Sequence, residues 1–191
     1  MIQLLNFTIL YLYLHKFYEN EWNEGTIVPS FCLMINKKKI EELALERIEE
    51  LDKDLFIVEI SISASNSIRV EIDSASGNVA IEDCISVSRN IEHNLDREEQ
   101  DFELQVSSPG LDKPFRVVQQ YKKNVGREVK LTPVNGVKLE GVLKSADDNG
   151  VVIETTRKER LEGKKKKVTV VEEHPFNYDE IKETKIVITF K

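Results

Sequence analysis

The sequence has few of the residues that mark a catalytic, metal-binding or disulfide-stabilised protein. Its 191 residues include two cysteines and three histidines. Cys32 and Cys84 form no C-x-x-C pair, and the dispersed His15, His93 and His174 complete no set of four metal ligands. Neither a G-x-x-x-x-G-K-[ST] nor a G-x-G-x-x-G phosphate loop occurs. We therefore expect no cofactor, no metal and no enzymatic activity, and a reducing, cytoplasmic location.

A long hydrophobic run is also lacking. The apolar stretch 2–14 is interrupted by polar residues and is shorter than the roughly 20 residues that span a bilayer. Residues 1–33 nevertheless hold 7 of the 14 aromatic residues, without the positive start and cleavage site of a signal peptide. We expect no membrane partner and interpret 1–33 as an extension that is dispensable or a mis-assigned start, with Met34 as the working start. A membrane or partner anchor is the alternative.

Charge is divided unevenly along the chain, whose net charge is -7. Residues 34–116 contain 10 Lys and Arg against 19 Asp and Glu, whereas residues 117–191 contain 16 against 12. An acidic first half discourages indiscriminate nucleic-acid binding, while a mildly basic second half can contact phosphate locally. The two halves are therefore expected to have different partners.

Hydrophobic periodicity predicts an α+β fold with an N-terminal αββαβ two-layer domain over residues 34–115. Apolar residues recur at helical spacing over 37–52 and 82–95, which places Cys84 as a small buried side chain on the second helix. Alternating or β-branched segments predict strands at 55–63, 67–73 and 102–106, the first two as a hairpin. This order favours one sheet with helices packed on one face.

The remaining residues, 116–191, predict a small β-barrel domain. A short helical turn at 117–124 precedes five segments with strand character: 128–131, 137–144, 151–155, 167–171 and 184–190. The Asn135-Gly136 step is typical of a hairpin turn, and a single helical turn is expected at 177–182, before the last strand. A charged loop is expected between the third and fourth of these strands. Five short strands with tight turns favour a barrel.

A proline-containing segment joins the two predicted domains. Its prolines fix φ, and Gly110 can adopt positive φ, so the segment is expected to be rigid. It acts either as an interdomain elbow or as a binding motif. The segment, here named the connector, comprises Ser107, Ser108, Pro109, Gly110, Leu111, Asp112, Lys113 and Pro114.

Two further groups are candidate contacts with RNA. Lysine and arginine side chains in the charged loop can each neutralise a phosphate without reading base identity, although a solvated hairpin loop would have the same composition. Ser88 and Arg89 lie on the second predicted helix, where Arg89 either projects towards the connector or RNA or is a solvated helix residue. The candidates in the loop are Arg157, Lys158, Arg160, Lys164, Lys165, Lys166 and Lys167.

Three motifs together resemble the bacterial ribosome maturation factor RimP family. They are Asp83-Cys84, Val87-Ser88-Arg89 and the stretch from Leu104 to Pro114, and the resemblance extends from about Met34 to Lys191. The connector is the most specific of them. Lys113 stands where the family usually has arginine, which keeps the charge but loses the planar fork.

The resemblance implies an α/β domain followed by an SH3-like (Sm-like) barrel in a noncatalytic factor that is needed for assembly of the small ribosomal subunit. It implies binding to free or immature small subunits through ribosomal protein uS12 and nearby small-subunit rRNA, and we expect a monomer. The alternative is a general Sm-like RNA-binding regulator that acts on free RNA, which would need stacking aromatic residues on the barrel.

Overall fold

The computed structural model describes residues 35–98, 101–160 and 167–188, without side chains for 158–160, 167 and 168. The extension 1–33 and the candidate lysines Lys164, Lys165 and Lys166 lie outside the described residues. Ile35–Lys191 form one compact unit. None of the described helices is long and apolar enough to cross a membrane.

The described residues form helices, two sheets and a short 3-10 turn, which confirms the predicted mixed α+β class. The helices are α1 (Lys37–Glu50), α2 (Ile81–His93) and α3 (Val118–Lys123), and the 3-10 turn is Tyr178–Glu180. The strands are β1 (Leu55–Ile62), β2 (Ser67–Ser74), β3 (Glu103–Ser107), β4 (Glu128–Pro133), β5 (Leu139–Ala146), β6 (Gly150–Arg160), β7 (Lys167–Asn177) and β8 (Ile181–Ile186).

The first sheet has the strand order β1-β2-β3, with β1 antiparallel and β3 parallel to β2. Ile68, Val70 and Ile72 alternate along β2, are fully buried and pack in one core with the apolar stripes of α1 and α2. Because successive strand residues point to opposite faces, Glu71 and Asp73 lie on the face away from the helices.

Asp83 fixes the start of α2. Its Oδ2 accepts a hydrogen bond of 3.1 Å from the backbone N–H of Ala80, and its Oδ1 forms an ion pair with Lys53 Nζ. The hydrogen bond from Lys53 holds the pKa of Asp83 below its ordinary 3.8, although burial opposes this effect. Cys84 follows and is partly buried against the first core, where burial and then the Asp83 charge raise its pKa.

The second sheet is antiparallel, with the strand order β7-β6-β5-β4-β8. Its separate core consists of Tyr121, Val129, Leu131, Leu143, Val151 and Ile153. Tyr121 of α3 contacts Phe115 and Tyr178 edge to face, at ring-centroid distances of 5.0 and 5.3 Å. The pairings among the described residues do not join β7 to β8, so these residues do not form a closed barrel.

The predicted charged loop is the main error in the second half. β6 continues to Arg160 and pairs residue by residue with β7, whereas β5 pairs with β6 only between Val151 and Glu154. Arg157, Lys158 and Arg160 therefore lie on a strand, and Lys167 begins the next one. Beyond Glu154, β6 therefore pairs only with β7 among the described strands, so charged residues in this part of the hairpin do not interrupt the pairing with β5.

Substitution of Asp83 tests the cap of α2. The folded-state pKa is lowered, so ionised Asp83 stabilises the fold above about pH 3.8, and this contribution disappears as pH falls through the lowered value. We expect Asp83→Asn to lower the free energy of unfolding by about 1 kcal/mol at neutral pH. Urea unfolding at pH 7 and below pH 3.8 measures the difference, which should shrink in acid. A difference independent of pH would contradict the role of the charge.

Candidate functional site

The connector leaves the end of β3 and makes a tight turn that exposes an apolar side chain. The backbone N–H of Lys113 donates to the carbonyl of Gly110 at 3.0 Å, which closes the turn. Gly110 does not adopt the positive φ that its sequence context allowed, since the positive-φ glycines of the described chain are Gly126 and Gly136. Leu111 at the turn is 63% exposed. The turn thus presents a hydrophobic residue on a fixed backbone.

Residues of the connector, of the segment just after it and of α3 contact three carboxylates on the face of the first sheet that lies away from the helices. Glu59 of β1 and Glu71 of β2 are direct cross-strand partners, an arrangement that is unfavourable for like charges, and Asp73 follows two residues later. We name Glu59, Glu71 and Asp73 the acidic face. Glu71 is 2% exposed and Asp73 9% exposed, so both need cationic partners.

Each carboxylate of the acidic face has its own cation. Glu71 forms an ion pair with Lys113 of the connector, and Glu59 forms one with Arg116 just after it. Asp73 Oδ1 lies 2.6 Å from Lys123 Nζ at the end of α3, with both side chains less than 15% exposed. These ion pairs join the first sheet to the connector and to α3.

Backbone hydrogen bonds fix the other end of this segment to the second sheet. Phe115 N–H donates to the carbonyl of Thr184 on β8 at 2.8 Å. The Oε1 of Gln120 accepts a hydrogen bond of 2.8 Å from Arg116 N–H, which fixes the backbone just before the start of α3. Ion pairs on one side and hydrogen bonds from the backbone N–H groups of Phe115 and Arg116 on the other therefore leave the segment little freedom.

A cleft of about 220 Å³ opens beside the connector. The connector, β2, α3 and β8 all contribute to its walls. Its apolar wall residues include Pro109, Leu111, Phe115 and Ile186, and its charged ones are Asp73, Lys113, Lys123 and Arg127. The connector thus links the two sheets and also forms one wall of this cleft.

The other predicted site residues lie elsewhere. Arg89 is exposed on α2 and lines a groove with Arg47 and His93, on the helix side of the first sheet, and Ser88 beside it is half buried. Because α2 packs on the face of the sheet opposite to the acidic face, Arg89 does not lie beside the connector, and contact of Arg89 with RNA stays a prediction. Arg157 on β6 pairs with Glu172 of β7 at 2.7 Å, so its charge is partly compensated.

Sequence reasoning missed the acidic face, Lys123 and Arg127. Alternation along β2 predicted that Glu71 points away from the core, but it could not predict that another part of the chain covers that face. A signal was available in residues 113–127, which carry five cations and no acidic residue. Such a segment next to an acidic domain indicates internal charge pairing.

Adjacent lysines provide a matched test of the buried pair. We expect Lys123→Met to lower the free energy of unfolding by about 3 kcal/mol, because Asp73 is left buried without a cation. Lys122→Met removes an exposed pair with Asp148 and should cost less than about 1 kcal/mol. Chemical denaturation of both variants measures the contrast. Equal losses would show that burial of the pair contributes nothing.

The Lys113–Glu71 pair makes a second prediction. Glu71 Oε2 has no hydrogen-bond partner in the described chain, because an ammonium group is a point donor that here engages only Oε1. A guanidinium can donate to both oxygens, so Lys113→Arg should raise the free energy of unfolding by about 1 kcal/mol. The control is Lys130→Arg at an exposed pair with Glu140, which should change little. A loss of stability in Lys113→Arg would contradict the geometry.

Comparison with known proteins places the chain among ribosome maturation factors. The model of the RimP N-terminal domain matches residues 43–112, which include β1, β2, α2, β3 and most of the connector. A ribosome maturation factor RimP of Christiangramia forsetii is 43% identical over 154 residues, which are 81% of this chain and 99% of that protein.

Other relatives carry the same name. The RimP of Flavobacterium psychrophilum is 37% identical over 157 residues, 82% of this chain and 100% of that protein. The RimP of Porphyromonas gingivalis is 32% identical over 155 residues, 81% of this chain and 100% of that protein. These similarities cover nearly the full length of each relative, and the chain belongs to the RimP family.

Proposed function

We propose that this protein is a noncatalytic ribosome maturation factor required for assembly of the small ribosomal subunit. The observation that carries the proposal is the 43% identity to a ribosome maturation factor over 99% of that protein's length. The proposed partners are the free or immature small subunit, ribosomal protein uS12 and nearby small-subunit rRNA. We further propose that the protein acts in the cytoplasm as a monomer.

The proposed domains are residues 34–115 and 116–191, the second an SH3-like (Sm-like) barrel. Support comes from the two separate hydrophobic cores and from the strand order β7-β6-β5-β4-β8, with the 3-10 turn just before the last strand. In this proposal the connector orients the two domains so that both contact the particle together. The ion pairs of the acidic face support that role because they are directional, whereas apolar packing is not.

Charge supports a division of labour between the two domains. Residues 34–116 have nine more acidic than basic residues, which suits a basic ribosomal protein, whereas residues 117–191 have four more basic than acidic residues, which suits rRNA. Contacts of both kinds would make particle binding reversible and salt-sensitive. A general Sm-like RNA-binding regulator remains the second candidate function, favoured by the basic residues at and beyond the end of β6.

Cosedimentation of the full chain with small subunits, large subunits and joined ribosomes at two salt concentrations tests this function, together with binding to isolated uS12. We expect selective, salt-sensitive association with free small subunits and with uS12. Equal binding to all particles, or binding only to naked RNA, would favour the general regulator.

A charge-reversal variant sharpens this experiment. Changing Lys164, Lys165 and Lys166 to glutamate should weaken binding to small subunits and reduce the slope of log affinity against log salt by up to about 3, if each lysine neutralises one phosphate. The matched control changes Lys37, Lys38 and Lys39 to glutamate, which alters the net charge by the same amount at α1. Equal losses in the two variants would assign the effect to net charge alone.

A further inference from the structure

One cation beside the connector is not used by the fold. Residues 113–127 contain Lys113, Arg116, Lys122, Lys123 and Arg127 and no acidic residue. Four of these cations form ion pairs: Lys113 with Glu71, Arg116 with Glu59, Lys122 with Asp148, and Lys123 with Asp73. Within the part of the chain that the structure describes, the Arg127 side chain has neither an ion-pair nor a hydrogen-bond partner, and it lines the cleft. After these pairings, Arg127 is the one positive charge of residues 113–127 that stays unpaired in the described chain, and it lies at the cleft.

The backbone that carries Arg127 is fixed. Gly126 adopts a φ of 86°, which favours glycine, and its N–H donates to the carbonyl of Leu143 at 2.8 Å. Arg127 N–H donates to the Asn124 carbonyl at 3.1 Å, and the Arg127 carbonyl accepts from Leu143 N–H at 2.9 Å. The guanidinium, a planar group with five N–H donors, thus extends from a preorganised turn towards solvent at the cleft.

The walls of the cleft suit a small group with apolar faces. Pro109, Leu111 and Phe115 contribute from the chain that leads out of β3, and Ile186 contributes from β8. The volume of about 220 Å³ is below the 300–1,000 Å³ usual for drug-sized ligands, so the occupant is a single unit rather than a large ligand. One nucleotide of a single strand fits this description, because it joins a flat base to one negative charge.

We propose that the cleft binds one unpaired nucleotide of RNA, with its phosphate on Arg127 and its base between the connector and Ile186. This inference rests on the proposed function for the source of the RNA, the small-subunit rRNA. An acidic peptide is the other monoanionic occupant, but the excess of cations in residues 117–191 favours a polyanion over an isolated carboxylate. The site adds a fixed contact to the sequence-independent attraction of the basic residues near the end of β6.

Photo-crosslinking tests this site directly. The full chain is mixed with a single-stranded RNA pentanucleotide that carries 4-thiouridine at its centre, and the crosslinked residues are identified by mass spectrometry. We expect crosslinks within residues 109–115 or at Ile186. Crosslinks confined to residues 157–167, or their absence from the cleft, would overturn the proposal. If instead the peptide acetyl-Leu-Asp-Leu-amide protects the cleft from chemical labelling and the RNA does not, the site is for protein.

Affinity measurements on variants add a second readout. Fluorescence anisotropy with the same RNA should show a loss of about tenfold for Arg127→Ala, as expected for one charge-assisted contact, and a smaller loss for Arg127→Lys. Arg69→Ala, at an exposed arginine of β2, removes the same charge elsewhere and should have no such effect. Equal losses for Arg127→Ala and Arg69→Ala would overturn the site.

Cosedimentation of the same variants separates this proposal from the proposed function. If wild-type protein binds small subunits and Arg127→Ala binds them equally well, the cleft proposal fails and the ribosomal function stands. If the RNA crosslinks to the cleft but wild-type protein does not select small subunits, the nucleotide site stands and its assignment to rRNA fails. Unchanged thermal unfolding of Arg127→Ala confirms that its fold is intact.

Discussion

Two carboxylates that face each other across β1 and β2 set the main constraint on this structure. Glu59 and Glu71 are direct cross-strand partners, and Asp73 is the next residue on the same face. A sheet with this face open to water would tolerate the charges, but the connector and α3 cover it, so each carboxylate must be paired. The presence of Lys113, Arg116 and Lys123 follows from this requirement, and so does the fixed path of the chain between the two sheets.

Buried ion pairs of this kind specify geometry more than they add stability. The two sheets have separate hydrophobic cores, so neither core depends on the other for its apolar burial. Desolvation offsets much of the attraction in a buried pair, whereas misalignment leaves a charge without a partner. The relative placement of the sheets is therefore selected against alternatives in which Glu71 or Asp73 would be buried alone. Lys113 meets this need incompletely, because one oxygen of Glu71 stays without a partner.

Periodicity predicted the elements whose side chains have one buried and one exposed face. The helices over 37–52 and 82–95 and the strands over 55–63 and 67–73 lie within two residues of the observed ends of α1, α2, β1 and β2. The outer half of β7 was predicted as the strand 167–171, but the outer half of β6 was not, because its charged residues show no apolar alternation. The inner half of β7 also escaped prediction, because it contains adjacent acidic residues and Pro175, which argue against a strand. The burial of Glu71 escaped prediction for a different reason: its cation is 42 residues away in sequence.

The use of cations inside the fold also affects how the protein can select a partner. Composition gives residues 117–191 a positive excess of four, but Lys123 neutralises Asp73, which lies outside this segment, so the charge available to RNA is smaller than the count suggests. Under the proposed function, each cation that is paired internally would weaken the attraction to naked RNA, since each released counterion contributes part of the affinity. A protein of this design gains affinity where RNA and a protein surface occur together, because two weak contacts on one particle reinforce each other. Under the proposed function, the internal pairing of Lys113, Arg116 and Lys123 would therefore favour binding to an assembling particle over binding to free RNA.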